Sequence, residues 1–349
     1  MWLITLRDLQ WRRRRFAIAI GATAMVFAMA LVIAGIAASF RAEAVRTVEA
    51  IGADAWVTSE EVTGPFSTFA TLPRSHEETL EADPNVRRAD PLIVLRQTYL
   101  AGTGTKDVTL IGYTEDGMGT PPVARGRTPS SVREIALDSS AGFDLQDTFV
   151  VGATGFTVVG VTEGLHFFAG LPAGFVLLAD AQELAFGGQD FVTSFVTEGV
   201  PTEAIPGLKV SSNENARVDL MRPLLSAIQT IDLCQLLLWF VAAAIIGSVV
   251  YLSALERVRD FAVLKATGAS SRSLYAGLAM QSVLVSLLAG ALGIGIAHAL
   301  APTFPLSVEI PTGSYAVLPG VALVVGLLAS IGGVRRAASV DPALAFGGP

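Results

Sequence analysis

The sequence predicts an α-helical integral membrane protein with four transmembrane helices, arranged as one plus three, and a mixed α+β extracytoplasmic domain between the first two. Residues 16–40 form a charge-free run, and three more such runs crowd the last third of the chain. An α-helix rises about 1.5 Å per residue, so about 20 apolar residues cross a bilayer. A mean hydropathy of +0.56 and 16% charged residues also separate the chain from ordinary soluble proteins.

The order of these runs gives the predicted organisation. The four spans are residues 16–40, 233–255, 274–301 and 315–334. The remaining parts are an amphipathic cytoplasmic N-terminus (1–15), the large extracytoplasmic domain (41–232), a cytoplasmic loop (256–273), a short external loop (302–314) and a cytoplasmic tail (335–349).

Basic residues at the ends of the spans predict the topology. Arginines fill positions 12–15 before the first span, four basic residues lie within 257–272, and Arg335 and Arg336 follow the fourth span. Cytoplasmic segments near span ends are enriched in Lys and Arg. Residues 41–232 hold 13 Lys and Arg against 26 Asp and Glu, a balance of −13. We therefore expect a multi-pass protein of the cell (inner or plasma) membrane with both termini in the cytoplasm.

A cleaved signal peptide is the alternative interpretation of the N-terminus. The basic start, the apolar run and small residues such as Ala34, Ala37 and Ala38 fit it loosely. However, the apolar part of a signal peptide covers about 7–15 residues, and the run over 16–40 is much longer. Its length favours a membrane anchor.

The pattern within 41–232 predicts a mixture of strands and helices. Short runs rich in β-branched and aromatic residues, cut by Gly, Pro and Asp, indicate strands at 53–59, 91–100, 107–113, 134–137, 148–151 and 156–162. Gly155 suggests a hairpin between the last two. Helices are expected at 75–82 and 179–186. A third helix at 213–230 should be bent or interrupted by Pro223.

One stretch of this domain is unusually apolar. Residues 165–179 contain no Asp, Glu, Lys or Arg, and they include Phe167, Phe168, Leu171 and Phe175. One interpretation is a loop that enters a buried strand. The other is an exposed apolar lip that touches a ligand, a partner chain or the membrane surface.

Motifs of self-contained enzymes are absent from the sequence. It has no phosphate-binding loop of the form G-x-x-x-x-G-K-[ST], no G-x-S-x-G and no H-E-x-x-H. His76, His166 and His298 have no metal-ligand spacing. His298 lies in the third span, where an ionisable group is often functional, but a neutral histidine at the membrane interface is the simpler explanation, which we favour. We expect neither catalysis nor a bound metal, and any energy must come from a partner.

The loop after the second span carries the strongest functional pattern. Val258, Phe261 and Leu264 are three residues apart and line one face of a predicted short helix. Gly268 then permits the backbone to turn before the third span. The result is an amphipathic helix held between two membrane helices. An ordinary interfacial turn is the simpler alternative.

Here the chain resembles the FtsX/MacB-type permeases of ABC systems. In that family the second and third spans are joined by E-R-x-R-E-[IF]-[AG]-[VL]-L-[RK]-A-x-G-A-[ST], and residues 256–270 read ERVRDFAVLKATGAS. Asp260 stands where Glu is usual. Residues 335–345, RRAASVDPALA, resemble the closing motif of the family. Segments at 126–129, 134–138 and 156–161 resemble its MacB-like periplasmic core domain more loosely.

The resemblance implies a non-catalytic permease subunit of an ABC transporter. A separate ATPase, present in two copies, would hold ATP and Mg²⁺, and two permease subunits would pair as a homodimer or heterodimer. Hydrolysis would move the extracytoplasmic domains, a mechanotransmission that exports or extracts a lipophilic or envelope-associated substrate. Partners would include membrane lipid and an extracytoplasmic protein, but no nucleic acid.

The loop would be the coupling helix that docks on the ATPase. The predicted docking residues are Glu256, Arg257, Arg259, Asp260, Phe261, Leu264, Lys265 and Gly268. Phe261 and Leu264 would fill a groove of the partner, and the charges would fix the register. A regulator is the alternative function, since some members of the family switch an extracellular partner such as a cell-wall hydrolase without moving a substrate.

Overall fold

The computed structural model describes residues 13–102, 104–168, 170–267, 270–304 and 308–338. Contacts divide the chain into two compact units. We call them the helical unit (Met1–Ser39 with Ala227–Pro349) and the sheet unit (Phe40–Ser226). Each is described by itself.

The helices and strands of the described residues follow in chain order. The α-helices are α1 Arg13–Ile51, α2 His76–Glu81, α3 Leu178–Phe186, α4 Asn213–Met221, α5 Leu225–Glu256, α6 Val258–Ala266, α7 Ser271–Leu300 and α8 Thr312–Ala338. Short 3-10 helices occupy Ser139–Ala141, Arg222–Leu224 and Ala301–Thr303. The strands are β1 Ala55–Ser59, β2 Leu72–Pro73, β3 Arg88–Ala101, β4 Gly104–Tyr113, β5 Arg125–Gly126, β6 Glu134–Asp138, β7 Thr148–Val151, β8 Thr154–Thr162, β9 His166–Phe167, β10 Leu171–Leu177, β11 Phe191–Val192, β12 Ser194–Glu198 and β13 Leu208–Ser212.

The helical unit contains the membrane spans. Within the described chain, four helical segments are long and apolar enough to cross a membrane. They are Arg13–Ile51, Asn213–Glu256, Tyr275–Thr303 and Thr312–Ile331, which confirms the one-plus-three arrangement. Small residues let α1 and α7 approach closely, because a Cβ atom on Gly293 would lie 3.0 Å from the carbonyl oxygen of Ala24. Close packing of this kind stabilises helix pairs in lipid.

The first helix continues well beyond the predicted end of its span. Residues 41–51 belong to the sheet unit, but they continue the helix of the first span, because α1 runs unbroken to Ile51. Gly52 then adopts a left-handed backbone with φ of 75°, and its N–H donates to the carbonyl oxygen of Glu49 at 3.1 Å. Glycine ends helices in this way because it tolerates positive φ. The charged residues after position 40 mark the end of the apolar run and not the end of the helix.

The sheet unit is built on a mixed 11-stranded sheet. Its main path is β13-β1-β12-β3-β4-β10-β6-β8-β5, and β10 pairs with β4, and β6 with β8, in parallel. The expected hairpin between β7 and β8 is present, but its turn lies earlier than Gly155. Val151 pairs with Thr154, and Gly152 takes the positive φ of 59° that the tight turn requires.

Residues on alternate sides of the strands form two apolar clusters. Along β3, Ile93 and Leu95 belong to one cluster, which also contains Leu178 of α3. Leu92 and Val94 belong to the other, together with Val48 of α1. Successive side chains of a strand point to opposite faces, so the C-terminal end of α1 packs on one face of the sheet and α3 on the other.

The apolar stretch at 165–179 forms a hairpin of β9 and β10 in the interior of the sheet unit. Phe167 and Phe175 are buried, whereas Phe168 and Leu171 are partly buried and pack against the same cluster. The prediction of an exposed lip is therefore wrong for Phe167 and Phe175. The alternative, a loop that enters a buried strand, describes the segment correctly.

Candidate functional site

The predicted coupling segment is a separate short helix after the second span. Helix α5 ends at Glu256, and α6 starts at Val258. The break is tight, because the Arg257 N–H donates to the Ala254 carbonyl at 3.3 Å and the Arg257 carbonyl accepts from the Phe261 N–H at 2.9 Å. Helix α6 is thus attached directly to a membrane helix. The backbones of Leu264 and Lys265 belong to α6, and Gly268 lies outside the described residues.

Phe261 fastens α6 to the helical unit. Its side chain is only 4% exposed and belongs to the same apolar cluster as Phe16 and Leu278. The Arg257 guanidinium lies 5.6 Å from the centre of its ring. The prediction that Phe261 fills a groove of a partner is therefore wrong. A ring this large gains more free energy in the core between the spans than at the surface.

Two ion pairs involve charged side chains at the start of the predicted coupling segment. Arg15 of α1 contacts Glu256 at 2.8 Å, and Arg257 contacts Asp260 at 3.7 Å. Both acidic side chains are at least half exposed, so solvent screens these pairs and each contributes about 0–1 kcal/mol. Glu256 therefore joins the start of α1 to the end of α5 and remains accessible.

Among the side chains of α6 that the structure describes, Arg259, Asp260 and Val263 lie on an exposed face. All three are exposed, and Val263 is 47% exposed. The first two were predicted from the sequence, but Val263 was not, because the apolar spacing pointed to Phe261 and Leu264. Val263 follows Arg259 by four residues and Asp260 by three, a spacing that places side chains on one helix face. A search for apolar residues beside the charges would have found it.

His298 bridges two spans of the helical unit. Its Nε2 lies 2.8 Å from the hydroxyl of Tyr315, and its Nδ1 lies 2.9 Å from the carbonyl oxygen of Ile294. Both ring nitrogens thus have partners on α7 and α8. These contacts agree with a structural role for this histidine.

An aromatic cleft of about 260 Å³ lies in the sheet unit. Its lining is apolar apart from the hydroxyl groups of Ser67 and Thr68 and the guanidinium of Arg96. Phe168, half-buried and with φ of 46°, is the one residue of the predicted lip that lines it. The other lining residues are Phe66, Phe69, Val94, Leu95 and Pro223.

The chain is similar to a known family of permeases and to two proteins of Mycobacterium tuberculosis. Residues 235–342 match the family model described as FtsX-like permease C-terminal. The chain is 44% identical over 349 residues to uncharacterized ABC transporter permease Rv2563 of Mycobacterium tuberculosis, and 43% identical over 349 residues to Rv0072 of the same species. In both cases the alignment covers 100% of each chain.

Two solved structures are similar to part of the chain. One is the extracellular domain of the noncanonic ABC-type transporter YknZ from Gram-positive bacteria, with 14% identity, a TM-score of 0.32, and coverage of 41% of this chain and 90% of that chain. The other is the periplasmic region of MacB from Actinobacillus actinomycetemcomitans, with 14% identity, a TM-score of 0.35, and coverage of 53% and 95%.

Proposed function

The chain belongs to the FtsX-type permeases of ABC transporters, and from that premise we propose that α6 docks on a separate ATPase and passes its motion to the sheet unit. One observation carries the proposal. Helix α6 is a short helix that is anchored in the core by Phe261 and presents Arg259, Asp260 and Val263 to the surroundings. A partner can therefore bind one face while the other remains fixed.

The anchoring of α6 supports transmission of force. Close-packed interiors deform little and pass strain to their neighbours. Because Phe261 and Ala262 are buried, a displacement of α6 must move the surrounding spans as well. In the chain, α1 and α5 lead from the helical unit into the sheet unit, so both helices would carry this motion.

The topology that fits this function has α6 and both termini in the cytoplasm, where ATP is available. The basic residues near 12–15 and 257–272 support this orientation. The ATPase would supply ATP and Mg²⁺. Two permease subunits, identical or different, would pair with two ATPases, and the moving extracytoplasmic domains would export or extract a lipophilic or envelope-associated substrate.

The decisive experiment compares two valines that have the same exposure on different helices. Val263 on α6 is 47% exposed and Val218 on α4 is 46% exposed. We expect Val263→Asp to weaken binding of the ATPase by about tenfold or more, as at an apolar interface contact, and to abolish stimulation of ATP hydrolysis in reconstituted membranes. Val218→Asp should leave both unchanged. Full stimulation with Val263→Asp would refute docking through this face.

A further inference from the structure

A buried group of ionisable side chains in the sheet unit lies apart from the docking face. His166, at the start of β9, places its Nε2 3.1 Å from Oδ1 of Asp138 and its Nδ1 3.8 Å from Oε1 of Glu43. Asp138 ends β6, and Glu43 lies on α1. The side chains of both acids are almost fully buried, and that of His166 is mostly buried. A buried charge is costly unless it is paired, so this arrangement needs an explanation.

Asp138 is held firmly on the sheet side of the group. Its carboxylate accepts hydrogen bonds from the N–H and the hydroxyl of Ser140 at 3.0 and 2.7 Å, and from the N–H of Leu165 at 3.0 Å. Burial acts to raise the pKa of Asp138, but hydrogen bonds from His166, Ser140 and Leu165 outweigh it and lower this pKa. Asp138 is therefore a fixed anion against which His166 is positioned.

Helix α1 supplies the other side of the group. The hydroxyl of Thr47, one helical turn after Glu43, donates to the carbonyl oxygen of His166 at 2.9 Å. Thr47 is buried, as are Ala44 and Val48 around it. His166 thus contacts α1 through both its backbone and its ring, and its ring also contacts β6.

The charges around His166 favour its protonated form. The hydrogen bond to Asp138 raises the pKa of His166 against the effect of burial, and the negative charges of Asp138 and Glu43 raise it further. Arg46, also on α1, opposes this rise. These are the charged groups that face the ring from α1 and from β6.

We propose that protonated His166 fastens the C-terminal end of α1 to the sheet, and that loss of this proton loosens the attachment. His166 is then a positioning residue that makes the sheet follow the movement of α1 at acidic pH, and the link is weaker at alkaline pH. The consequence for transmission depends on the proposed function, whereas the attachment itself does not.

The direction of the pH dependence follows from the two pKa shifts. The pKa of His166 is raised from 6.5. The stability that His166 contributes to the attachment of α1 is therefore complete below about pH 6.5 and is lost as the pH rises through the raised pKa. The pKa of Asp138 is lowered from 3.8, so its contribution is complete above about 3.8 and is lost as the pH falls further. The attachment is strongest between these two limits.

Amide hydrogen exchange of the full chain in nanodiscs, without ATPase, tests the proposal. Exchange of residues 43–51 is measured at about pH 5.5 and about pH 8.5, on both sides of the ordinary histidine pKa, and corrected for the intrinsic effect of pH. We expect about tenfold more frequent opening at the higher pH, the effect of losing a hydrogen bond to a charged group. Exchange within α3 should not change with pH.

Two variants and one control make the result specific. His166→Gln should exchange rapidly at both pH values, and Glu43→Gln, which keeps the shape of the side chain, should show a smaller pH effect. His76→Gln, which removes a histidine of the same unit, should behave like the original chain. An unchanged pH effect in His166→Gln and Glu43→Gln, or its absence in the original chain, would overturn the proposal.

The ATPase assay with Val263→Asp and the exchange experiment on residues 43–51 together separate this proposal from the docking proposal. If Val263→Asp still stimulates the ATPase while residues 43–51 keep their pH-dependent opening, docking is wrong and the attachment stands. If Val263→Asp abolishes stimulation but exchange is independent of pH, docking stands and the attachment is wrong.

Discussion

The two units use their charged side chains in opposite ways. In the sheet unit, Asp138 and Asp219 are buried and accept several hydrogen bonds each. In the helical unit, Glu256 and Asp260 are exposed, and each forms an ion pair with an arginine. Removal of a buried, hydrogen-bonded carboxylate destabilises the folded protein strongly. An exposed ion pair contributes little to the free energy of unfolding and is screened by salt. The first arrangement fixes a shape, and the second leaves charge available for another molecule.

Removal of Asp219 should have the largest effect on stability. Its Oδ2 accepts from the N–H groups of Phe66 and Ser67 at 2.9 and 3.0 Å, and its Oδ1 accepts from the hydroxyls of Thr63 and Ser67. Asp219→Ala leaves the N–H groups of Phe66 and Ser67 without an acceptor, and we expect a loss of about 3–5 kcal/mol in the free energy of unfolding, because each unsatisfied buried donor costs about 1–3 kcal/mol. Denaturant unfolding measures it, with the exposed Asp144→Ala as the control. A loss equal to that of the control would break the contrast between the units.

Phe261 and Val263 provide a contrast between a buried and an exposed side chain within a single helix, α6. Phe261→Ala should destabilise the helical unit by about 3–5 kcal/mol, because it empties a site in the core. Val263→Ala removes an exposed side chain and should change stability by less than about 0.5 kcal/mol. Thermal unfolding in nanodiscs measures both. Equal losses would mean that α6 does not have an inner face and an outer face.

Local features of the sequence predicted much of the fold. The charge-free runs give the four spans, and Pro223 marks the place where α4 and α5 are separated by a 3-10 turn. The end of α1 was missed because the change to charged residues at position 41 hid a helix that only Gly52 ends. The parallel pairing of β10 with β4 depends on contacts between distant segments, which no local pattern encodes.

The candidate site was predicted as a segment, but the sequence did not predict which of its side chains are buried. The motif at 256–270 located α6, and Arg259 and Asp260 lie on its exposed face. The rotation of α6 depends on which side the neighbouring spans cover, so Phe261 is buried and Val263, to which the sequence assigned no role, is exposed. The group of His166, Asp138 and Glu43 has no signal in the sequence, because folding alone brings these positions together.

The partly exposed pair of Arg127 and Glu134 should make the stability of the sheet unit depend on pH, with an effect smaller than that of removing Asp219 or Phe261. The hydrogen bond from Arg127 lowers the pKa of Glu134 from 4.5 to about 2, against the effect of burial and with help from the N–H groups of Ser130 and Ser131. The stability that ionised Glu134 contributes to the sheet unit is therefore complete above about pH 4.5 and is lost as the pH falls towards about 2.

Glu134→Gln tests this effect on the sheet unit. It should lower the denaturant midpoint by a constant amount at neutral pH, and the difference from the original chain should shrink below about pH 4.5. Glu163→Gln, at an exposed position, is the control and should change little at any pH. A difference that stays constant down to about pH 2 would show that the charge of Glu134 is not what stabilises the unit.

The smallest effect should come from the pair of Arg15 and Glu256, which joins α1 to the end of α5. A double-mutant cycle with Arg15→Gln and Glu256→Gln should give a coupling energy of about 0.2–1 kcal/mol. The coupling should decrease in 1 M salt, where the Debye length is only about 3 Å. A coupling above about 2 kcal/mol that resists salt would show that this pair is shielded from solvent, as Asp138 and Asp219 are. Glu256 would then stabilise the helical unit from within and would not be available to a partner.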